Sequence, residues 1–162
     1  MKLESLKSLY LDELKDAYDF EHQLLEVLPK MEKTATAEEL KSAFREHCVQ
    51  TERQVERLKQ VFASLGHKPE RKTCKGMKGL IAEGDEYLKA RGDRDTIDAS
   101  LISAAQRVEH YEMAVYGTLR EYARVLGVPD QGRLLQQNLD EEKAADQKLT
   151  QLAEQGINVA AA

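Results

Sequence analysis

The sequence predicts an all-α fold, a bundle of four antiparallel helices. The chain is 41% hydrophobic, 33% charged and 6% aromatic, and its many Leu, Ala, Glu and Lys residues are typical of helical bundles. Apolar residues recur every three or four positions over long segments, which is the period of an amphipathic helix. At 162 residues the chain is long enough to bury a core, so we predict a single domain over residues 1–162.

The first half of the chain contains two predicted long helices. One covers residues 5–33, and Pro29 is predicted to kink or end it because proline interrupts helical hydrogen bonding. The other covers residues 37–65. Its start is indicated by the stretch TAEE, a capping box in which Thr36 and Glu39 satisfy each other's backbone N–H groups.

The second half contains one short and two long predicted helices. The short helix covers residues 77–90, and the long ones cover residues 95–126 and 131–155. The helix over residues 95–126 is predicted to begin near Asp93 or Asp95, since Asp is a favoured N-cap residue.

Asp130 is predicted to cap the last helix, and the tail INVAAA is predicted to be loosely ordered.

The lengths of the connections predict how the helices are joined. The first two long helices are joined by a short turn, as are the last two, so each pair forms an antiparallel hairpin. A long crossover that carries the short helix joins the hairpins. One long crossover in a four-helix bundle is the ferritin-like arrangement.

Charge and cysteine content limit the classes of function. No apolar run has the length of a membrane span or a signal-peptide core, and Cys48 and Cys74 form no CxxC motif, so we expect a soluble cytoplasmic protein with reduced thiols. The net charge of −5 disfavours nucleic-acid binding. Residues 67–78 are basic, and we interpret them as a solvated loop rather than as an anion or nucleic-acid contact.

Each of the four long helices carries polar residues within its apolar face, where an unpaired charge is costly. The inward residues are Glu21 on the first helix, His47 and Thr51 on the second with Gln50 at the edge, Glu109 and Glu112 on the third, and Glu142 and Asp146 on the fourth. A single such acid is ordinarily a boundary residue. Acids on three helices favour a shared site.

The heights of these residues along the bundle agree with a shared site. In an antiparallel hairpin, two residues lie level when their mean position falls at the turn. Glu21 and His47 average to position 34, just before the first turn, and Glu112 and Glu142 average to position 127, which is the second turn. Each hairpin therefore places its own inward polar groups level, and if the two hairpins pack together at that height, these groups meet in one acidic layer.

Clustered carboxylates in a core remain ionised only if cations lie among them. Iron, manganese and zinc suit carboxylates combined with an imidazole, and paired metals occur in four-helix cores. The Glu-x-x-His pairs usual in di-iron bundles are absent, and His47 is the only inward histidine. The predicted metal ligands are Glu21, His47, Glu109, Glu112, Glu142 and Asp146.

Several stretches of the sequence resemble the YciF/YciE family of ferritin-like bacterial stress proteins. They are YDFEHQLLEVLPKM, HCVQTERQVERLKQVFASLG, CKGMKGLIAEGDE, AAQRVEHYEMAVYGTL and DEEKAADQKLT. The resemblance implies a ferritin-like bundle, a cytoplasmic homodimer, a link to stress and a dinuclear metal centre at the five acids named above. Relatives often carry Glu in the second helix where this chain has Val49 and Gln50, so the ligand from that helix, His47 or Gln50, stays open.

Two hypotheses of function follow. The first is a metal-binding protein with a dinuclear centre, in which iron is favoured over manganese or zinc, and whose chemistry would be iron oxidation linked to oxygen or peroxide. The second is a non-catalytic dimeric scaffold whose buried acids are protonated or paired with Lys and Arg. Whether the protein is an enzyme stays open. DNA protection is disfavoured by the acidic net charge and the lack of a basic tail.

Overall fold

A computed structural model describes residues 4–162 and has five main helices. They are α1 (Leu6–Thr34), α2 (Glu38–Ser64), α3 (Lys75–Leu88), α4 (Arg94–Val125) and α5 (Pro129–Leu152). After α5 the chain continues through a π-helical turn, Ala153–Ile157, into a last helical turn, Asn158–Ala160. Within residues 4–162, no helix is both long and apolar enough to span a lipid bilayer.

The packing of the helices is that of a ferritin-like bundle. The pairs α1/α2, α4/α5, α2/α5 and α1/α4 are in contact, and α3 packs on α1 and α4. The start of α1 lies beside α5, where Tyr10 donates a hydrogen bond to Gln131, while the turn after α1 lies beside Asp98 at the start of α4. Hence α1 and α4 are antiparallel. Because α2 runs back along α1, α2 and α4 are parallel, and the chain needs a long crossover to pass from the end of α2 to the start of α4. The predicted fold class is confirmed.

The turn between α1 and α2 differs from its prediction. The capping box between Thr36 and Glu39 does not form, and Ala37 is the N-cap, without a side-chain hydrogen bond. Asp98 of α4 instead accepts hydrogen bonds from the backbone N–H groups of Thr36 and Ala37, each at 2.8 Å, and from the Thr36 hydroxyl at 2.7 Å. A buried carboxylate from a distant helix therefore holds this turn.

Three further local features differ from their predictions. Of the two effects predicted for Pro29, a kink or an end of the helix, the end does not occur, because α1 continues five residues past Pro29 to Thr34. Val128, not Asp130, is the N-cap of α5; Pro129 occupies the first turn, where its missing N–H costs nothing. The tail after Gly156 is helical rather than loosely ordered.

The basic stretch of the crossover is bound to α1. Asp19 of α1, which is 5% exposed, accepts hydrogen bonds from the Arg71 guanidinium at 2.9 Å and from the Cys74 backbone N–H at 2.8 Å. Lys72 bonds Asp12 of α1 at 2.6 Å. Part of the positive charge is thus neutralised by α1, and α3 is fixed over the α1/α4 side of the bundle.

Candidate metal centre

Four buried side chains from three helices meet in the middle of the bundle. They are His47 of α2, Glu109 and Glu112 of α4, and Glu142 of α5, and one ligand atom from each lies within 4.8 Å of all the others. His47 is 5% exposed and the three glutamates are 2% or less. One imidazole and three carboxylates within this distance form a set that can hold a metal ion.

Helix geometry explains why these residues meet. Glu109 and Glu112 are three residues apart, so they lie on the same face of α4. The turn at Gly127, with a φ of 71° that favours glycine, brings Glu142 of α5 level with Glu112 of α4. His47 reaches the same level from α2, which packs against α5.

The hydrogen bonds of His47 orient its ring toward the acids. Nδ1 lies 3.3 Å from the Gln50 side-chain oxygen, a contact that holds the ring in place. Nε2 then faces the acids, 3.3 Å from a Glu109 oxygen and 3.7 Å from a Glu142 oxygen. A cation at this place would attract the ring nitrogen and both carboxylates.

The buried polar atoms without a hydrogen-bond partner are concentrated here. Eight such side-chain atoms occur among the described residues, and six of them belong to the centre and the adjacent Glu21. They are Glu21 Oε2, His47 Nε2, Glu109 Oε2, both oxygens of Glu112, and Glu142 Oε2. Because buried polar atoms are almost always paired, this concentration indicates that a metal ion or protons complete the site.

Burial makes these carboxyl groups hard to ionise in the metal-free chain. It raises the pKa of Glu109 to about 8, and the charges of Asp146 and Glu21 act in the same direction. The pKa values of Glu21, Glu112 and Glu142 are raised well above their usual range, again chiefly by burial. Without cations the centre therefore holds protons, which a metal must displace.

Glu21 lies at the edge of the centre and is held by a tyrosine. The hydroxyl of Tyr116, which is fully buried, donates a hydrogen bond to Glu21 Oε1. Its other oxygen has no partner. Glu21 is outside the group of four whose ligand atoms converge, but its charge raises the pKa of Glu112.

Two polar contacts near the centre were not predicted from the sequence. Gln54, fully buried, donates a hydrogen bond to Glu142 Oε1. Arg57 forms two hydrogen bonds to Glu141, at 2.6 and 2.7 Å, and a third to Asn138 at 2.9 Å. Gln54 lies seven residues after His47, two helical turns along the same face, so a helical wheel of the sequence could have identified it as an inward residue.

Asp146 is not brought into the group. Its carboxylate accepts a hydrogen bond from Gln106 at 3.1 Å and lies 3.4 Å from the exposed ring of His110. The side chain is 19% exposed, so water reaches it, and we correct its predicted place on the inward face to the rim. Gln50 contacts His47 rather than the acids, so His47 is the residue of α2 that belongs to the converging group.

The fold and the site define a ferritin-like four-helix bundle with a buried centre of histidine and glutamates. The chain belongs to the family described as a domain of unknown function, DUF892, whose match covers residues 5–162. It is 40% identical over 159 residues to protein YciF of Escherichia coli K12, across 98% of this chain and 96% of that protein. The resemblance noted in the sequence is thereby confirmed.

Solved structures agree with this assignment. The crystal structure of the E. coli stress protein YciF superposes with a TM-score of 0.92 at 40% identity, covering 96% of this chain and 98% of that one. YcfI from Rhodopseudomonas palustris, whose description proposes a structural protein, gives 0.90 at 43% identity over 92% and 95% of the two chains. A Xanthomonas campestris protein, 19% identical with a TM-score of 0.75, shares the fold.

Proposed function

We propose that this protein is a ferritin-like stress-response protein that binds a dinuclear metal centre in its core. The proposed ligands are His47, Glu109, Glu112 and Glu142, with Glu21 as the adjoining carboxylate. The observation that carries the proposal is the set of six unpartnered polar atoms on these residues. Such atoms are costly in a core unless a cation binds them.

Charge balance supports two metal ions rather than one. The carboxylates of Glu21, Glu109, Glu112 and Glu142 carry four negative charges when ionised, and a neutral imidazole adds none. Arg57 does not offset them, because it is already paired with Glu141 at 2.6 Å. Two divalent cations would neutralise the fully ionised layer, whereas with one cation two of the carboxyls would have to keep their protons and could not serve as charged ligands.

The donor set favours a hard or borderline metal. Carboxylates with one imidazole suit iron, manganese or zinc, and we favour iron. A bound iron pair would supply redox chemistry linked to oxygen or peroxide. The chain contributes orientation: Gln50 holds the His47 ring, Gln54 positions Glu142, and Tyr116 positions Glu21.

The cellular role follows from the relatives. YciF of E. coli is described as a stress protein and is 40% identical over nearly the whole chain, so we extend that role to this protein. We further propose a cytoplasmic homodimer. Cys48 and Cys74 are both free thiols, which suits a reducing compartment.

A structural scaffold is the second candidate function. It is favoured by the description proposed for YcfI and by the raised pKa values, which allow protons to neutralise the layer. In that case the centre holds protons in the cell, and no metal is needed.

Metal analysis separates the two candidates. Protein purified without chelator, or reloaded with Fe(II) under anaerobic conditions, should hold about two metal ions per chain. A double variant, Glu112→Gln with Glu142→Gln, should lose them, since neutral amides are poor ligands for hard cations. Elemental analysis gives the metal content, and circular dichroism checks that the variant keeps its helices.

A matched control removes two exposed acids from the same chain. Glu39 of α2 is exposed, and the side chain of Glu121 of α4 is 47% exposed. Changing both to Gln alters net charge as the test variant does. This control should keep its metal. A parent protein that stays empty after anaerobic Fe(II) addition would refute the metal proposal and leave the scaffold.

A further inference from the structure

We propose that the cleft between α2 and α5 is the route by which hydrated divalent cations reach the centre. This inference rests on the metal-binding function proposed above. The cleft has a volume of about 220 Å³, and its lining includes exposed Glu46 of α2, exposed Lys148 of α5, and both His47 and Glu109. It therefore joins the protein surface to two of the proposed ligands.

Small side chains hold the cleft open. Ala43 of α2 and Ala144 and Ala145 of α5 line it, where larger residues would fill the space between the helices. Its lining includes His47 and Glu109, whose Nε2 and Oε2 atoms are buried and without a hydrogen-bond partner. A cation in the cleft is therefore next to two side chains with unsatisfied ligand atoms, which a small movement of either side chain would present to it.

The size of the cleft suits a hydrated ion. Six waters at roughly 30 Å³ each occupy about 180 Å³, which is less than the cleft volume of about 220 Å³. The cleft therefore has room for a cation with its first shell of waters, and in the proposed route these waters are exchanged for protein ligands at His47 and Glu109. Gln50 also lines the cleft, and its contact with Nδ1 keeps Nε2 turned toward the acids.

A second cavity reaches the centre from the opposite side but does not suit a hydrated ion. It lies beneath α3, has a volume of about 20 Å³, and includes His47 and Glu109 in its lining. Its other walls are apolar, among them Leu24, Leu80 and Val108. A cation would have to shed its waters there without replacement, at a high desolvation cost. The cleft between α2 and α5 is the route that avoids this cost.

The rate of metal uptake tests this route. Co(II) is the probe, followed by stopped-flow through its visible absorption and through tyrosine emission, since the chain has six tyrosines and no tryptophan. A variant with Ala43→Leu and Ala145→Leu fills the cleft. Its uptake should slow by about tenfold or more, because passage then requires local opening of the helices. The amount bound at equilibrium should not change.

The control is Ala63→Leu, an exposed position on α2 outside the cleft lining, which should load at the parental rate.

Charge at the mouth gives an independent test that does not disturb packing. Glu46→Gln should slow uptake and Lys148→Gln should speed it, each by roughly twofold to threefold. Both effects should fade as salt is added.

The outcomes distinguish this inference from the proposed function. A filled variant that is folded and loads at the parental rate, to the same final Co(II) content, would overturn the route. If that variant does not fold, uptake rates that respond to neither Glu46→Gln nor Lys148→Gln would overturn it. A parent protein that binds no Co(II) at equilibrium would refute the metal proposal itself, and the route with it.

Discussion

Asp98 and Glu112, two buried carboxylates of the same helix, have opposite surroundings. Asp98 is 1% exposed and accepts hydrogen bonds from Thr36 and Ala37 at the turn between α1 and α2. Glu112 is fully buried, and neither of its oxygens has a partner. Burial alone is therefore no sign of a binding site. The difference lies in hydrogen bonding: the satisfied acid holds the fold, and the unsatisfied acids mark the centre.

Asp19 shows the same structural use of a buried acid. Burial alone would raise its pKa, but hydrogen bonds from the Cys74 backbone, Gln23 and Arg71 outweigh that effect and lower it. In the centre, no comparable set of donors offsets the cost of burial. The pKa of Asp19 is thus lowered, whereas the pKa values of the acids in the centre are raised.

The largest expected effect is a loss of stability of the metal-free protein as pH rises. The folded-state pKa of Glu109 is about 8, above the ordinary value of 4.5, so the folded state binds its proton more tightly than the unfolded state. This contribution to stability is complete below about pH 4.5 and is lost as pH rises through about 8. Glu112 and Glu142 are shifted in the same direction.

Urea unfolding of chelator-treated protein measures this dependence. Between pH 5 and pH 8 the free energy of unfolding should fall by at least about 3 kcal/mol, the contribution of Glu109 alone. The variant with Glu112→Gln and Glu142→Gln should show a shallower slope, since it has fewer groups to titrate. A parental stability that is flat or increases over this range would mean that the layer is not protonated without metal.

A smaller expected effect on stability distinguishes Asp98 from Glu112 when each acid is replaced by the amide of the same shape. Asp98→Asn should destabilise the protein by about 2 kcal/mol, because an amide N–H₂ then faces the N–H groups that the carboxylate accepted. Glu112→Gln should leave the metal-free protein at pH 7 as stable as the parent or more so, because it removes a group whose ionisation burial opposes. Denaturant midpoints measure both.

Metal binding should respond in the opposite way to these two changes. Asp98→Asn should keep the metal, and Glu112→Gln should weaken its binding. Equal losses of stability in the two metal-free variants would show that Glu112 has a structural partner, and would favour the scaffold.

Periodicity and turn positions were sufficient to predict much of the fold and most of the converging residues. The helical wheel placed Glu109, Glu112 and Glu142 on inward faces, and the hairpin geometry set Glu112 level with Glu142 and Glu21 level with His47. These inferences work because they depend on local helix geometry and on short turns, both of which are encoded by neighbouring residues.

The features that could not be predicted depend on contacts distant in sequence. The turn at Thr36 is held by Asp98, 62 residues away, and local capping rules cannot detect such a partner. Asp146 lies at the margin of its helix face, where bonding to Gln106 keeps it on the rim. The bond between Tyr116 and Glu21 joins α1 to α4, so it becomes visible only once the bundle is assembled.

The number of protons released when metal binds tests the central claim most directly. Exposed carboxylates are already ionised at pH 7, so metal bound to them releases none, whereas the buried carboxyls of the centre must lose theirs. Calorimetric titration of metal-free protein with Co(II) at pH 7, in buffers of different ionisation enthalpy, should show release of about two or more protons per chain. Binding heats that do not depend on the buffer, or no binding, would contradict a metal centre in the acidic layer.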